Sequence, residues 1–207
     1  MTSGWTQHEG HAIVLPAHNI DTDQLIPSRF MSTPRDEGYG KFLLHDLRRD
    51  ADGNEHPHFP LNRFRNASIL VAGRNFGSGS SREAAVYALV DAGIRAVFAP
   101  SFGDIFSSNA INNGMLPAQI SPADHITLLG LLNETSMRAQ ICLEESHISI
   151  GECRIGFELD QTWRTKLING WDDIDLTLQR SQDIKKHKKN LEQSTPWVLP
   201  AANRQRC

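Results

Sequence analysis

The amino-acid sequence predicts an α/β fold in a single domain over residues 1–207, with a parallel βαβ core, an antiparallel portion and C-terminal helices. Three observations carry this expectation. Two short apolar runs, Ser68-Ile69-Leu70-Val71-Ala72 and Arg95-Ala96-Val97-Phe98-Ala99, read as buried strands. Between them, residues 82–92 place Ala85, Val86, Leu89 and Val90 on one helical face, with Gly93 as the stop. From Gln140 onward the pattern changes to short alternating segments separated by turn residues, the mark of antiparallel pairing.

The remaining elements follow in order. His11-Ala12-Ile13-Val14-Leu15 is a strand closed by Pro16, feeding a polar turn over residues 19–24. Residues 32–40 carry Pro34, Arg35, Asp36, Glu37 and two glycines, and read as an exposed charged loop. Residues 41–49 are expected to form a short helix with Phe42, Leu43 and Leu47 inward. A polar connection over residues 50–64 holds His56 and His58, a pair that reads as solvated histidine because no third metal ligand accompanies it. Ser101 is expected to cap a helix bearing Phe102, Ile105, Phe106 and Ile111 on one face and ending at Gly114, with Asn109, Asn112 and Asn113 as cap and turn residues or, alternatively, a polar rim of the site. Residues 116–120 are a further strand, and Ser121-Pro122 opens another helix. Residues 140–143, 147–150 and 154–158 make an antiparallel appendage. Trp163, Leu167 and Ile168 mark a helix ended by Gly170, and Ser181 is expected to cap a last helix whose run Lys185 to Lys189 is a solvated face. The core is expected to span about residues 8–192, with a flexible tail at 194–207.

Composition excludes several function classes. The chain has 207 residues, 39% of them hydrophobic, which suits one well-buried core. Its formal charge of −3 supplies no electrostatic attraction for nucleic acid. No apolar run approaches the roughly 18 residues of a membrane span, and residues 1–10 are too polar for a signal peptide, so a cytoplasmic protein is expected. Cys142, Cys153 and Cys207 are widely separated, which predicts that this chain alone holds no metal and no iron–sulfur cluster.

The chemistry is expected at Gly73-Arg74-Asn75-Phe76-Gly77-Ser78-Gly79-Ser80-Ser81-Arg82-Glu83, where a strand ends and a helix begins. Glycines let the backbone approach a ligand, and a helix N-terminus presents unpaired N–H groups and the positive end of the dipole. Arg82 adds a planar guanidinium fork suited to a carboxylate or phosphate. The stretch is not a P-loop, for no Lys follows its last Gly, and Arg82 stands where a dinucleotide fingerprint needs a third small residue. Neither Ser80 nor Ser81 lies in a Gly-x-Ser-x-Gly elbow.

Four ordered motifs resemble one family. They are residues 19–27 (Asn-Ile-Asp-Thr-Asp-Gln-Leu-Ile-Pro), residues 76–83 (Phe-Gly-Ser-Gly-Ser-Ser-Arg-Glu), residues 100–106 (Pro-Ser-Phe-Gly-Asp-Ile-Phe) followed by Asn109, Asn113 and Leu116-Pro117, and residues 170–178 (Gly-Trp-Asp-Asp-Ile-Asp-Leu-Thr-Leu). Over most of its length the chain resembles the small subunits of 3-isopropylmalate dehydratase (isopropylmalate isomerase), separate-chain forms of the swivelling β/β/α domain of the aconitase superfamily. The resemblance implies a hydro-lyase of leucine biosynthesis that moves a hydroxyl between adjacent carbons of isopropylmalate. It also implies a large-subunit partner carrying a [4Fe–4S] cluster. By position it implies Ser80 as catalytic base, Asp23 as a member of the catalytic network, Arg82, Ser81 and Gly79 in substrate binding, and Arg29 as a second carboxylate-binding arginine.

Two residues depart from the family pattern. Ser78 stands where many members have Cys, and Ala84 replaces a common His. The related homoaconitase and citraconate or 2-methylmalate hydratases would share fold and base, and a non-catalytic anion-binding module would share the helix terminus. The loop over residues 30–39 separates the substrates: an apolar contact from Phe30 or Met31 suits an isopropyl group, whereas Arg35 reaching inward suits an additional carboxylate.

Overall fold

The computed structural model describes residues 3–195 and Trp197. The chain divides into two compact units, parting between Trp171 and Asp172. In order, the first unit comprises β1 (Gln7–Leu15), α1 (Thr22–Leu25), α2 (His45–Arg48), α3 (Pro60–Arg63), β2 (Ala67–Ala72), α4 (Glu83–Asp91), β3 (Ala96–Ala99), α5 (Asp104–Asn112), β4 (Leu116–Gln119), α6 (Pro122–Leu132), β5 (Met137–Cys142), β6 (His147–Ile150), β7 (Cys153–Gly156) and α7 (Gln161–Asn169).

One seven-stranded sheet organises this unit, in the order β4-β3-β2-β1-β5-β6-β7. β1 to β4 run parallel, and β5 to β7 run antiparallel. β1 belongs to both halves: its C-terminal part pairs with β2, with Val14 opposite Val71, while its N-terminal part pairs with β5, with Gln7 opposite Cys142. The antiparallel segments are therefore not the appendage expected from the sequence. β1 starts four residues earlier than its apolar run, and its mixed half-buried residues 7–11 supply the edge that β5 completes.

The strands bury both faces, as parallel strands covered by helices must. Ile13, Leu15, Leu70 and Val97 face a cluster with Leu25, Leu43, Leu44, Ala85 and Leu89. Ala12, Val14, Ile69, Val71 and Phe98 face a second cluster with Leu128, Leu132, Ile141, Ile155 and Leu167. Each fully buried Leu or Ile contributes about 1.5–3 kcal/mol relative to exposure. Pro117 sits in β4 at the sheet edge, where its missing N–H costs no ladder bond.

Several local expectations are corrected. In residues 41–49 Leu44 takes φ +50 and turns inward at 0% exposure, leaving Leu47 37% exposed; the segment is a 3₁₀ turn followed by α2 rather than one helix. α5 is preceded by Gly103, not capped by Ser101, whose Oγ instead accepts from the Asn75 N–H at 2.9 Å. Ile105 points outward and Ala110 takes its place in the core. Asp21, read as part of a turn, opens α1 through a reciprocal cap with Gln24.

The second unit holds α8 (Asp173–Leu178) and α9 (Ser181–Ser194). Asp172 caps α8 reciprocally with Asp175. Arg180, not Ser181, precedes α9, and Lys185 to Lys189 are exposed as expected. Of the tail expected to be flexible over 194–207, residue 196 and residues 198–207 lie outside the described residues.

Gly77 fixes how the β2–α4 loop packs. It has φ +72, and a Cβ there would lie 2.2 Å from the Phe106 ring. Gly77→Ala is expected to lower stability by about 2–3 kcal/mol through overpacking and backbone strain, measured by urea denaturation. A loss below about 0.5 kcal/mol would show that the loop is not held this tightly.

Candidate active site

The β2–α4 loop leaves the C-terminal end of β2 and is stitched on two sides. On one side, Gly77 N–H donates to the Ile20 carbonyl at 2.7 Å and Thr22 N–H donates to the Ser78 carbonyl at 2.9 Å. On the other, Phe76 N–H donates to the Ser101 carbonyl at 3.1 Å and Gly103 N–H donates to the Phe76 carbonyl at 3.0 Å. The connections after β1, β2 and β3 thus converge at one end of the parallel sheet, where open α/β folds build their sites. Phe76 anchors the loop from below, fully buried and edge-on to Phe102 and Phe106. Asn75, Gly77 and Gly79 all take positive φ, so the chain reverses repeatedly before α4.

These turns bring part of the expected site together. Gly79, Ser80 and Ser81 are exposed, and Arg82 precedes α4 with no side-chain cap on the helix. The first-turn N–H groups therefore lack a side-chain cap beside Ser80 and Arg82. Asp23, in the first turn of α1, forms an ion pair with Arg82. Thr22 is 2% exposed; its Oγ1 donates to the Ser80 carbonyl at 3.1 Å and lies 3.3 Å from the Ser80 Oγ. Sequence reading did not single out Thr22. The signal was present in Asp21-x-x-Gln24, whose reciprocal cap makes Thr22 the first residue of a helix aimed at the loop.

Arg29 lies in another cluster. Its guanidinium holds both carboxylate oxygens of Asp46, with Nη1 to Oδ2 at 2.9 Å, and sits 4.5 Å over the Phe30 ring. Phe30 stacks on Phe42 with centroids 4.3 Å apart. Arg35 does not reach inward: it makes two hydrogen bonds to Asp91, at 2.6 and 2.9 Å. The departures from the family pattern are also placed. Ser78 contributes its backbone carbonyl to Thr22, and Ala84 is packed in the core at 8% exposure, where the larger imidazole would need added space. Glu83 accepts from Asn113 Nδ2 at 2.9 Å, tying the start of α4 to the end of α5.

Among the described residues, no group of three or more His, Cys, Asp or Glu is arranged to hold a metal ion. Cys142 is buried in β5 opposite His147, and Cys153 lies in β7 opposite Ile150. No described helix is long and apolar enough to cross a membrane.

Comparison with known proteins agrees with this architecture. Residues 2–123 match the model of the aconitase C-terminal domain. The chain is 43% identical to the 3-isopropylmalate dehydratase small subunit of Shouchella clausii over 183 residues, covering 87% of this chain and 93% of that protein. It is also 43% identical to the Bacillus subtilis small subunit over 195 residues, covering 92% and 96%. The chain belongs to the family of 3-isopropylmalate dehydratase small subunits. A solved 3-isopropylmalate dehydratase structure from Methanocaldococcus jannaschii superposes with a TM-score of 0.64 at 27% identity, covering 87% of this chain and 99% of that one. The mixed sheet flanked by helices is thus the fold of this family.

Electrostatics mark the Arg29 cluster. Hydrogen bonding to Arg29 lowers the Asp46 carboxyl to about 2 from an ordinary 3.8. The Arg29 guanidinium is correspondingly raised. Because the folded value is depressed, this pair supports the fold above the unfolded value and ceases to do so as pH falls toward 2. The Asp46 side-chain carbonyl resonance is expected to titrate near 2, and Arg29→Ala to return it toward 3.8. An unchanged midpoint in the variant would separate the two groups.

Proposed function

We propose that this chain is the small subunit of a 3-isopropylmalate dehydratase, a hydro-lyase that interconverts 2- and 3-isopropylmalate through isopropylmaleate in leucine biosynthesis. The observation that carries the reading is Ser80, an exposed residue two positions before Arg82 at the entry to α4, in a chain whose relatives are small subunits of that enzyme. The chemistry requires removal of a carbon-bound proton, departure of a hydroxyl from the neighbouring carbon and fixation of two carboxylates.

Ser80 takes the proton. A serine hydroxyl is a weak base unless its alkoxide is stabilised, and the first-turn N–H groups of α4 with the Arg82 guanidinium supply positive potential there. Thr22, hydrogen-bonded to the Ser80 backbone, limits the positions that residue can adopt. Arg82 binds a substrate carboxylate, with Ser81 and Gly79 lining its approach. Asp23 holds the guanidinium ready through one oxygen, and the fork's remaining donors are left for substrate. Arg29 is the proposed second carboxylate ligand, which would require substrate to compete with Asp46.

The iron–sulfur cluster implied by the family does not fit this chain's donor set, because its described cysteines lie apart in the antiparallel half of the sheet. Its Lewis acidity toward the departing hydroxyl would therefore come from a large-subunit partner. The exposed Gly79-Ser80-Ser81 face is suited to meet that partner. A cytoplasmic location accords with this biosynthetic role.

Two outcomes test the assignment. This chain alone is expected to be inactive, and mixing it with a cluster-bearing large subunit should yield isopropylmaleate absorbance from isopropylmalate. Activity of the isolated chain, or none with matching large subunits, would overturn it. In the active mixture, Ser80→Ala should lower kcat about 100- to 10,000-fold without weakening subunit association. Near-normal turnover would remove Ser80 as base. Arg82→Lys should lower kcat/KM about 10- to 100-fold, because a point charge replaces a bidentate fork. Unchanged kinetics would contradict the carboxylate clamp.

A further inference from the structure

The segment between α1 and α2 makes a long excursion that begins just after Asp23 and Leu25. It returns where the Leu44 N–H donates to the Leu25 carbonyl at 2.9 Å. Phe30 and Met31 lie on its outgoing limb. Midway along, the excursion is fastened to the far end of α4 by one carboxylate. Asp91 Oδ2 accepts from Arg35 Nη1 at 2.6 Å and from the Tyr39 backbone N–H at 2.6 Å, while Oδ1 accepts from Arg35 Nη2 at 2.9 Å.

Two further features make this a built contact rather than a chance surface pair. The Arg35 guanidinium lies over the rings of Tyr87, 4.4 Å from its centroid, and Tyr39, 5.5 Å away. Gly40 rests directly on the α4 backbone: a Cβ there would fall 2.6 Å from the Ala92 nitrogen. Glu83, Tyr87 and Asp91 recur every four residues and so share one stripe of α4. That stripe starts beside Arg82 and ends at the fastening, about 12 Å along the helix. The helix that presents the base and the carboxylate clamp therefore also fixes the segment bearing Phe30.

We infer that Asp91 is a positioning residue for the site: by clasping Arg35 and the Tyr39 N–H, it sets the placement of the Phe30–Met31 segment relative to Ser80 and Arg82, without touching substrate. The inference rests on the activity proposed above. It also gives Arg35 a role other than contact with an additional substrate carboxylate.

The test compares Asp91→Ala, Asp91→Asn and Arg35→Ala in the heteromer reconstituted with a cluster-bearing large subunit, alongside hydrogen exchange on the free small chain. Asp91→Ala should raise KM for isopropylmalate about 5- to 10-fold with kcat within about twofold, and should speed exchange of the Tyr39 amide. Asp91→Asn, which keeps an acceptor but loses the charge, should give a smaller KM rise, and serves alone if the alanine variant does not fold. Arg35→Ala should raise KM as Asp91→Ala does, and the double variant should be no worse than either single one. Faster exchange with an unchanged KM, or fully additive single effects, would overturn the positioning role. If the wild-type mixture itself fails to convert isopropylmalate, the activity proposal fails and this inference falls with it; an active wild type with insensitive variants overturns the clasp alone.

Discussion

The structure depends on a close approach that only glycine allows. Gly77 brings the β2–α4 loop against the Phe106 ring, and Gly103 lies so near the Gly77 carbonyl that an added Cβ would be 2.6 Å from it. Backbone hydrogen bonds from residues 20–22 on one side and 101–103 on the other then fix the loop along its length. Such ties hold residues 76–78, just ahead of Ser80 and Arg82, at a surface where loops are ordinarily mobile. Preorganisation of this kind is what a weak base at a helix terminus requires, because stabilising dipoles must be in place before charge develops.

On the proposed function, the site is completed by a second chain. Its serine is exposed, its arginine is held by a carboxylate, and its flanks carry no metal-binding cluster among the described residues. The two charged pairs differ in setting. Asp23 and Arg82 join α1 to the start of α4, whereas Arg29 and Asp46 join the excursion after α1 to α2. On the same proposed function, substrate carboxylates would have to draw the arginines from these partners.

Much of this was legible in the sequence because the parallel strands bury both faces and so read as unbroken apolar runs, as in residues 69–72 and 96–99. Helix ends marked by Gly93, Gly114 and Gly170 were equally clear, and each of these glycines takes positive φ. What escaped local reading was decided by tertiary contact. Leu44 rather than Leu47 enters the core because Leu44 adopts a left-handed conformation that no short-range pattern signals. Ser101 serves the neighbouring Asn75 instead of its own helix. The antiparallel strands looked separate because the polar half of β1, which pairs with β5, carries no strong apolar alternation. At the candidate site, Ser80 and Arg82 were proposed by motif, but Thr22 and the engagement of Arg35 by Asp91 arise from residues more than fifty positions apart.

The central claim is that Ser80 removes the carbon-bound proton while a second chain assists the hydroxyl. The most direct measurement is deuterium uptake at the carbon adjacent to the hydroxyl-bearing carbon of isopropylmalate, followed by NMR in D₂O with the reconstituted heteromer. The account predicts uptake with the wild-type chain and essentially none with Ser80→Ala, despite intact subunit association. Undiminished uptake in the variant would contradict it and move the base elsewhere.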